Sequence, residues 1–347
     1  MAGMSGSHVL SRYQELAPSS AWPSTMARGK GCMALEYSSL PLIVGIVGAT
    51  GTGKTVLSLG IARRFGGSII SADSMQVYQG MDVGTAKLSL SERLGVPHAL
   101  IDVVPPNHHF SVAEYQVLAF EAVNEAIRSG RLPILVGGTG LYVRAVLDGY
   151  EFLPEKPDTM LRSQLRKLSE GELRERLRVI DPLAECEIAA NDSRRLERAL
   201  EMSTQSGDLP SVLKRRQHPV PWRVLRIGLH AERAELYRRL DRRVDAMISA
   251  GMEEEVRRLL ADGLNPDDTA MQGIGYKELS AWMRGEIGRN EAIELWKRRT
   301  RNYAKRQETW FKREKDVRWI DVSDQSSNVI LAQAAALVES AAGGQSR

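Results

Sequence analysis

Eight consecutive residues have the types and spacing of a phosphate-binding loop. Residues 48–55 read Gly-Ala-Thr-Gly-Thr-Gly-Lys-Thr and directly follow the apolar run 42–47, as such a loop requires. The glycines let backbone N–H groups approach phosphate oxygens, Lys54 supplies a positive charge, and the Thr55 hydroxyl can bind Mg²⁺. We predict a phosphate or diphosphate site formed by Gly48, Thr50, Gly51, Thr52, Gly53, Lys54 and Thr55. The pattern does not distinguish a phosphate that is fuel, donor or leaving group.

A carboxylate and two hydrogen-bonding side chains follow the next apolar stretch. Asp73 comes directly after the strand pattern 68–71, with Ser74 and Gln76 beside it. Because the carboxyl ends of adjacent parallel strands converge on one crevice, we expect Asp73 near the phosphate loop. There it could bind Mg²⁺ or accept a proton, while Ser74 and Gln76 could hydrogen-bond a polar acceptor molecule. Asp and Ser are also favoured helix N-caps, so the local sequence leaves both interpretations open.

Alternating strand and helix patterns predict the scaffold that positions these residues. The strand patterns lie at 42–47, 68–71, 99–104 and 133–136, and the helix patterns at about 53–65 and 112–128. This order predicts an α/β fold, a doubly wound and mainly parallel sheet of the P-loop NTPase type. The last of these strands runs into Gly137-Gly138-Thr139 without the acidic residue that hydrolytic ATPases use, although Asp102 on the 99–104 pattern could supply one.

The pattern changes in the second half of the chain. Residues 154–217 lack strand signals and predict an all-helical insertion, with Asp192 and Ser193 starting one helix. A returning strand is predicted at 222–228, a long helix carries Leu236 and Leu240, and further helices are predicted at 253–260 and 296–315. The expected organisation is a disordered or over-extended N-terminus (1–40), a core (41–153 with 218–325), the insertion (154–217) and a C-terminal helix or tail (326–347).

Bulk composition fits a cytoplasmic protein and is compatible with a polyanionic partner. The 347 residues carry a net charge of +4 and a pI of about 9.0, a mild basic bias. No apolar run reaches the roughly 18–20 residues of a membrane span, so we expect no membrane association. Cys32 and Cys186 exclude a disulfide framework and a cysteine-rich zinc site. His108-His109 has no partner ligands at metal-site spacing and is interpreted as a loop pair.

Separated motifs, in the right order from about residue 41 to about residue 321, resemble the bacterial tRNA dimethylallyltransferases. They lie at 48–55, 73–78, 81–87, 137–142, 191–201, 273–276 and 303–311. The resemblance implies transfer of a dimethylallyl group from its diphosphate to the N6 amine of adenosine 37 in tRNA, without ATP. The loop would then hold the diphosphate that leaves.

The resemblance also implies roles for single residues. Asp73 would be the base that takes the amine proton, Lys54 and Mg²⁺ would stabilise the leaving diphosphate, and Thr139 would contact the reacting centre. Thr55 would bind the Mg²⁺, with Asp73 as a possible second ligand. The expected partners are dimethylallyl diphosphate and a tRNA anticodon stem-loop, gripped by a monomeric enzyme.

Residues expected to contact tRNA fall into three groups by this resemblance. Residues 297–315 hold nine Lys or Arg against two Glu, which suits phosphate contacts, whereas Trp296, Tyr303 and Trp310 form one stripe that we interpret as core packing. The tRNA set comprises, near the crevice, Asp73, Ser74, Met75, Gln76 and Thr139; in the insertion, Arg162, Arg194, Arg195, Leu196, Glu197 and Arg198; and towards the C-terminus, Gln272, Gly273, Ile274, Gly275, Tyr276, Lys277, Lys305, Arg306 and Gln307.

Three other functions stay open from the residues themselves. The first is an ATP-dependent P-loop kinase of small molecules, and the second is an adenylate isopentenyltransferase acting on free AMP. The third is a nucleotide-regulated RNA-binding module without catalysis. The basic helix and the insertion motifs argue against the first two, and Asp73 beside the loop argues against the third.

Overall fold

The computed structural model describes residues 37–152 and 158–343. The chain divides into two compact units, of which Asp148–Pro219 is the smaller, and the residues before and after it form the larger. Most of the N-terminal segment predicted at 1–40 lies outside the described residues, which begin with a 3-10 helix at Tyr37–Ser39. The last four residues of the predicted C-terminal segment also lie outside them.

A parallel sheet forms the centre of the larger unit. Among the described residues it has six strands in the order β3-β2-β4-β1-β5-β6, and every adjacent pair is parallel. This confirms the doubly wound, mainly parallel sheet expected from the sequence. The strands are β1 (Leu42–Gly48), β2 (Gly67–Ser71), β3 (His98–Ala99), β4 (Leu132–Gly137), β5 (Arg223–His230) and β6 (Val317–Asp321).

Helices cover both faces of this sheet, which explains why β1 is an almost uninterrupted apolar run. One face packs against α1 (Lys54–Phe65) and α13 (Ser327–Gly343). The helices on the opposite face are α2 (Val112–Arg128), α3 (Gly140–Leu147), α9 (Arg233–Ser249), α10 (Met252–Ala261), α11 (Tyr276–Met283) and α12 (Arg289–Phe311). A 3-10 helix at Ala270–Gln272 precedes α11.

The predicted strand 99–104 is mostly wrong. Only His98–Ala99 pairs with β2, because Leu100 (φ 62°) and Asp102 (φ 58°) have left-handed backbone that cannot continue a ladder. The Asp102 carboxylate accepts a 2.6 Å hydrogen bond from the buried Lys87 amine. It is therefore engaged as a structural partner of Lys87.

The described part of the smaller unit contains five helices: α4 (Thr159–Leu165), α5 (Glu170–Ile180), α6 (Pro182–Glu187), α7 (Ser193–Ser206) and α8 (Pro210–Leu213). Leu165, Leu173, Leu177 and Leu196 form its core. Asp192 caps α7 by accepting from the Arg195 N–H, as the sequence predicts. Residues 153–157 lie outside the description, so the start predicted for this insertion at 154 does too.

Candidate active site

The phosphate loop connects the carboxyl end of β1 to the first turn of α1. Gly53 has φ 87°, a left-handed backbone that glycine adopts without strain, and it lets Lys54 begin the helix. The Thr52 hydroxyl donates to the Ala49 carbonyl at 2.8 Å inside the loop. These bonds fix the loop locally and leave the N-terminus of α1 directed at any anion bound there.

The Lys54 amine folds over this loop. It donates to the carbonyls of Gly48 (2.9 Å) and Ala49 (2.7 Å). Loss of hydration lowers the pKa of Lys54 from 10.5 to about 7; the Asp73 carboxylate raises it in part, and the Arg243 guanidinium lowers it further. Lys54 therefore changes charge near neutral pH.

Asp73 and Thr139 are brought together by the adjacent strands β2 and β4, as the sequence predicts. The Thr139 N–H donates to the Ala72 carbonyl at 3.2 Å, and the Ser74 N–H donates to the Thr139 hydroxyl at 3.2 Å. One oxygen of Asp73 accepts from the Met75 N–H at 2.9 Å in a local turn. The residues after two parallel strands thus form one site beside the phosphate loop.

Two cavities meet at Asp73. The first, the loop cavity, has a volume of about 100 Å³ and is lined by Lys54, Thr55 and Gln76 among others. The second, the side cavity, has a volume of about 320 Å³ and lies towards Arg243, Gly273 and Arg306. The residues that line both cavities are Thr50, Asp73 and Tyr303. A carboxylate on the boundary can therefore act between two bound molecules.

Gln307 braces the phosphate loop from α12. Its side-chain carbonyl accepts from the Thr50 N–H at 2.8 Å, and its amide donates to the Gly138 carbonyl at 2.9 Å. A Cβ at position 138 would lie 2.1 Å from this amide, so only glycine fits there. The buried Gln307 thus contacts the loop, and this placement does not match the tRNA contact expected for it.

Two further site residues were not found from the sequence. Arg243 lies on the inner face of α9, where burial lowers its pKa and Asp73 opposes that effect. Tyr303 was expected in the core, but its ring lines both cavities and its hydroxyl lies near Thr139 and Gln307. Burial raises the pKa of Tyr303 to about 12. The sequence does carry a signal for Arg243, because this basic residue follows Leu240 by three positions and so lies on the otherwise apolar face of the predicted helix.

The chain matches the family model described as IPP transferase over residues 76–314. The tRNA dimethylallyltransferase of Desulforudis audaxviator is 48% identical over 289 residues, which cover 82% of this chain and 93% of that protein. The protein of the same name from Moorella thermoacetica is also 48% identical, over 81% of this chain and 90% of its own length. This chain belongs to the IPP transferase family.

Solved structures agree with this assignment. The full-length tRNA isopentenylpyrophosphate transferase of Bacillus halodurans is 39% identical, has a TM-score of 0.68, and covers 89% of this chain and 98% of its own. A eukaryotic dimethylallyltransferase described as acting on tRNA is 29% identical with a TM-score of 0.74, over 86% of this chain and 78% of its own. The family expected from the sequence motifs is confirmed, and the relatives favour a prenyl-transferring enzyme over the kinase and free-AMP alternatives.

In this IPP transferase the predicted contact segment 272–277 forms one wall of the side cavity. Gln272, Gly273 and Ile274 line it, together with Ser74 and Met75 from the turn after β2. Gly275 and Tyr276 are buried beneath that wall, so the side chain of Tyr276 is placed in the core and does not face a ligand. Lys277 is exposed and donates to the Gln272 side chain at 2.8 Å.

The basic residues of α12 lie at the mouth of the same cavity. Arg306 lines it, and its guanidinium lies 5.7 Å from the centre of the Tyr303 ring, a cation–π contact. Lys305 is exposed beside it. Gln76 instead faces the loop cavity, held by the Ser71 hydroxyl at 2.9 Å and by the Thr85 carbonyl at 3.2 Å.

The predicted arginines of the insertion differ in their availability. Arg162 forms two hydrogen bonds to the buried Glu201 carboxylate (2.8 and 3.0 Å), and Arg198 forms one of 2.7 Å to the same group. Arg194 and Arg195 are exposed, although Arg195 pairs with Asp192 at 3.3 Å. Arg162 and Arg198 therefore already offset a buried charge.

Two neighbours of these arginines in the predicted tRNA set are not free to bind. Leu196 is completely buried in the core of the insertion, so its side chain cannot reach an RNA. Glu197 lies 3.7 Å from Arg166 in an ion pair.

Metal-binding chemistry is limited to oxygen atoms near the loop cavity. Within residues 37–152 and 158–343, no group of three His, Cys, Asp or Glu side chains has metal-site geometry. His108 pairs with Glu114 at 3.0 Å, so the interpretation of a loop pair holds. Thr55 and Asp73 both line the loop cavity, and a hydroxyl with one carboxylate suits Mg²⁺, which takes most of its ligands from phosphate and water.

Proposed function

We propose that this protein transfers the dimethylallyl group of dimethylallyl diphosphate to the N6 amine of adenosine 37 in tRNA. The diphosphate binds in the loop cavity, and the adenine enters through the side cavity. The observation that carries the proposal is the position of Asp73 on the boundary between the two cavities. With its two cysteines reduced, the enzyme works as a monomer in the cytoplasm, where its tRNA substrate is found.

Transfer forms a bond between N6 and the first carbon of the dimethylallyl group and breaks the bond from that carbon to diphosphate oxygen. The electron pair of the broken bond leaves on the diphosphate, and the N6 proton passes to the Asp73 carboxylate. The adenine amine is a weak nucleophile because its lone pair is delocalised into the ring. A base and a stabilised leaving group are therefore both required.

Charge development on the leaving group is met by three features of the chain. These are the loop amides at the N-terminus of α1, the Lys54 ammonium and, from the adjoining side cavity, the Arg243 guanidinium, which is close enough to lower the pKa of Lys54. Gln307 holds the loop in shape from below, so these donors keep their positions during the reaction. Bound Mg²⁺, held by the Thr55 hydroxyl with Asp73 as a possible second ligand, would supply further positive charge there.

Thr139 and Tyr303 hold the reacting groups in line. The Thr139 hydroxyl accepts from the N–H of Ser74, the residue after Asp73, and Tyr303 lies close to it. The Tyr303 ring separates the two cavities and offers an apolar surface to the transferred group. These contacts restrict how the donor and the adenine can approach each other.

An adenine must leave its base stack to enter a concave site such as the side cavity, and the unpaired bases of an RNA loop can do this. This is why the proposed acceptor is an anticodon loop. Arg306 and Lys305 at the mouth of the side cavity suit the flanking phosphates. In the insertion, Arg194 and Arg195 carry the exposed positive charge that such a backbone needs. Free AMP would use neither set, which is why we favour tRNA as the acceptor.

One assay tests this proposal. The enzyme receives labelled dimethylallyl diphosphate, Mg²⁺ and unmodified tRNA with adenosine at position 37, and no ATP. Label is expected in the tRNA, and a matched tRNA with guanosine 37 should receive none. Absence of label from the adenosine substrate would refute the proposal, and label in added AMP would select the free-nucleotide alternative.

A further inference from the structure

Three consecutive backbone N–H groups converge on one buried carboxylate. Asp82 and Val83 donate to one oxygen of Glu255, at 2.7 and 2.8 Å, and Gly84 donates to the other at 3.1 Å. Glu255 lies on α10 and is only 7% exposed. The motif 81–87 found in the sequence is therefore fixed by a residue about 170 positions further along the chain.

The same carboxylate also holds a second segment, which carries Tyr276. The Tyr276 hydroxyl donates to Glu255 at 2.6 Å, and both side chains are buried. Burial, reinforced by the negative charge of Glu255, raises the pKa of Tyr276 well above 10, so this hydroxyl stays a donor. Glu255 is thus surrounded by four donors.

Both segments held by Glu255 line the side cavity. Gly84 and Thr85 line it from the first segment, and Gly273 and Ile274, which precede Tyr276, line it from the second. The Thr85 carbonyl also accepts a hydrogen bond from the Gln76 side chain. A shift of this segment would therefore also move the residues that follow β2. The buried Lys87 amine ties the far end of the segment to the Tyr78 carbonyl (2.5 Å) and to the Asp102 carboxylate (2.6 Å).

We propose that Glu255 is a positioning residue that fixes two segments of the side-cavity lining relative to each other and thereby sets the affinity for the acceptor base. This inference rests on the proposed function, which assigns the adenine to that cavity. Lys54 and Gln307, which define the loop cavity, make none of these contacts. Gly84, which Glu255 holds directly, lines the side cavity, whereas Ala86 and Leu88 further along the segment line the loop cavity. Glu255 therefore acts more strongly on acceptor binding than on donor binding.

Glu255→Gln tests this inference because it keeps the shape and removes the charge. An amide has one acceptor oxygen, and its NH₂ group would face N–H donors in place of a second oxygen. We expect the KM for tRNA to rise about tenfold while the KM for dimethylallyl diphosphate stays within about twofold. Hydrogen exchange at the amides of residues 82–84 should become faster in the same variant.

The matched control is Leu259→Ala, a cavity-forming change on the same helix at a buried core residue. It should lower the melting temperature without changing either KM or the exchange of residues 82–84. If Glu255→Gln is too unstable to assay, Tyr276→Phe removes one of the four donors and should raise the KM for tRNA by about threefold.

The outcomes separate this inference from the proposed function. An unchanged KM for tRNA in both variants, or an equal rise in both KM values, would overturn the positioning role. Unchanged exchange at residues 82–84 would overturn it as well. A wild-type enzyme that transfers no label would refute the proposed function, while the exchange comparison would still measure the anchoring by Glu255.

Discussion

The charge state of Lys54 makes donor binding depend on pH. With a pKa of about 7 the amine is charged at pH 6 and neutral at pH 9 in the free enzyme. The sign follows from the lowered pKa: raising the pH removes a positive charge that the diphosphate needs. If only the charged form binds, the apparent dissociation constant is the intrinsic one divided by the charged fraction.

That fraction falls from about 0.9 at pH 6 to about 0.01 at pH 9, so the KM for dimethylallyl diphosphate should rise about 90-fold over this range. Steady-state kinetics at constant ionic strength measure this rise in KM. Calorimetry near pH 7 in buffers of different ionisation enthalpy should detect the uptake of a proton when dimethylallyl diphosphate binds. The ionisation of the diphosphate itself acts in the opposite direction, since it becomes more anionic as the pH rises.

Lys54→Arg is the control, because a guanidinium keeps its charge throughout this range. Its pH profile should lack the rise, even though its affinity at pH 6 is lower than that of the wild type. A wild-type KM that is equal at pH 6 and pH 9 would refute the reasoning. The same rise in Lys54→Arg would assign the titration to another group.

Three further substitutions, one of them with a matched control, test the architecture of the site. Asp73→Asn should lower kcat about 10²–10⁴-fold with little change in the KM for tRNA; near-normal turnover would place the base elsewhere. Gln307→Leu leaves a buried loop amide without its acceptor and should lower the free energy of unfolding by about 1–3 kcal/mol in chemical denaturation, with a raised KM for the donor; an unchanged KM would mean that the loop keeps its shape unaided. Gly140→Ala would place a Cβ 2.1 Å from the Trp310 indole nitrogen and should lower the free energy of unfolding by about 1–3 kcal/mol. Its control, Gly171→Ala, meets no neighbouring atom and should raise the free energy of unfolding by about 0.5–1 kcal/mol. Equal melting temperatures for the two variants would contradict both expectations.

Elements defined by local pattern were predictable from the sequence. Helix α2 has the predicted limits, because a capping Ser111 and a continuous apolar face are both visible in the chain. Strands β1, β2, β4 and β5 differ from their predicted limits by only one or two residues. The strand predicted at 99–104 failed because the left-handed backbone at Leu100 and Asp102 has no signature in residue type.

Membrane association was not expected, and within residues 37–152 and 158–343 no helix combines the length and apolar character that crossing a bilayer needs.

The charged residues were harder to interpret than the apolar ones. Arg162 and Arg198 carry a tRNA-contact pattern, yet both pair with a buried Glu201. The pairing of Arg162 depends on how α4 packs against α7, so the sequence cannot show it, whereas Arg198 and Glu201 lie three residues apart on α7 itself. Exposed arginines such as Arg194 have the same local surroundings in the chain but a different environment in space.

The phosphate loop, the parallel sheet and the place of Asp73 beside the loop could be predicted from the amino-acid sequence. These follow from short stretches of chain and from the rule that parallel strands end at one edge. Only the tertiary structure decided which residues complete the site. Gln307 reaches Thr50 across 257 positions, Arg243 enters from α9, and Glu255 joins two segments of the side-cavity lining. Such contacts depend on the packing of helices onto the sheet, and no local spacing encodes them.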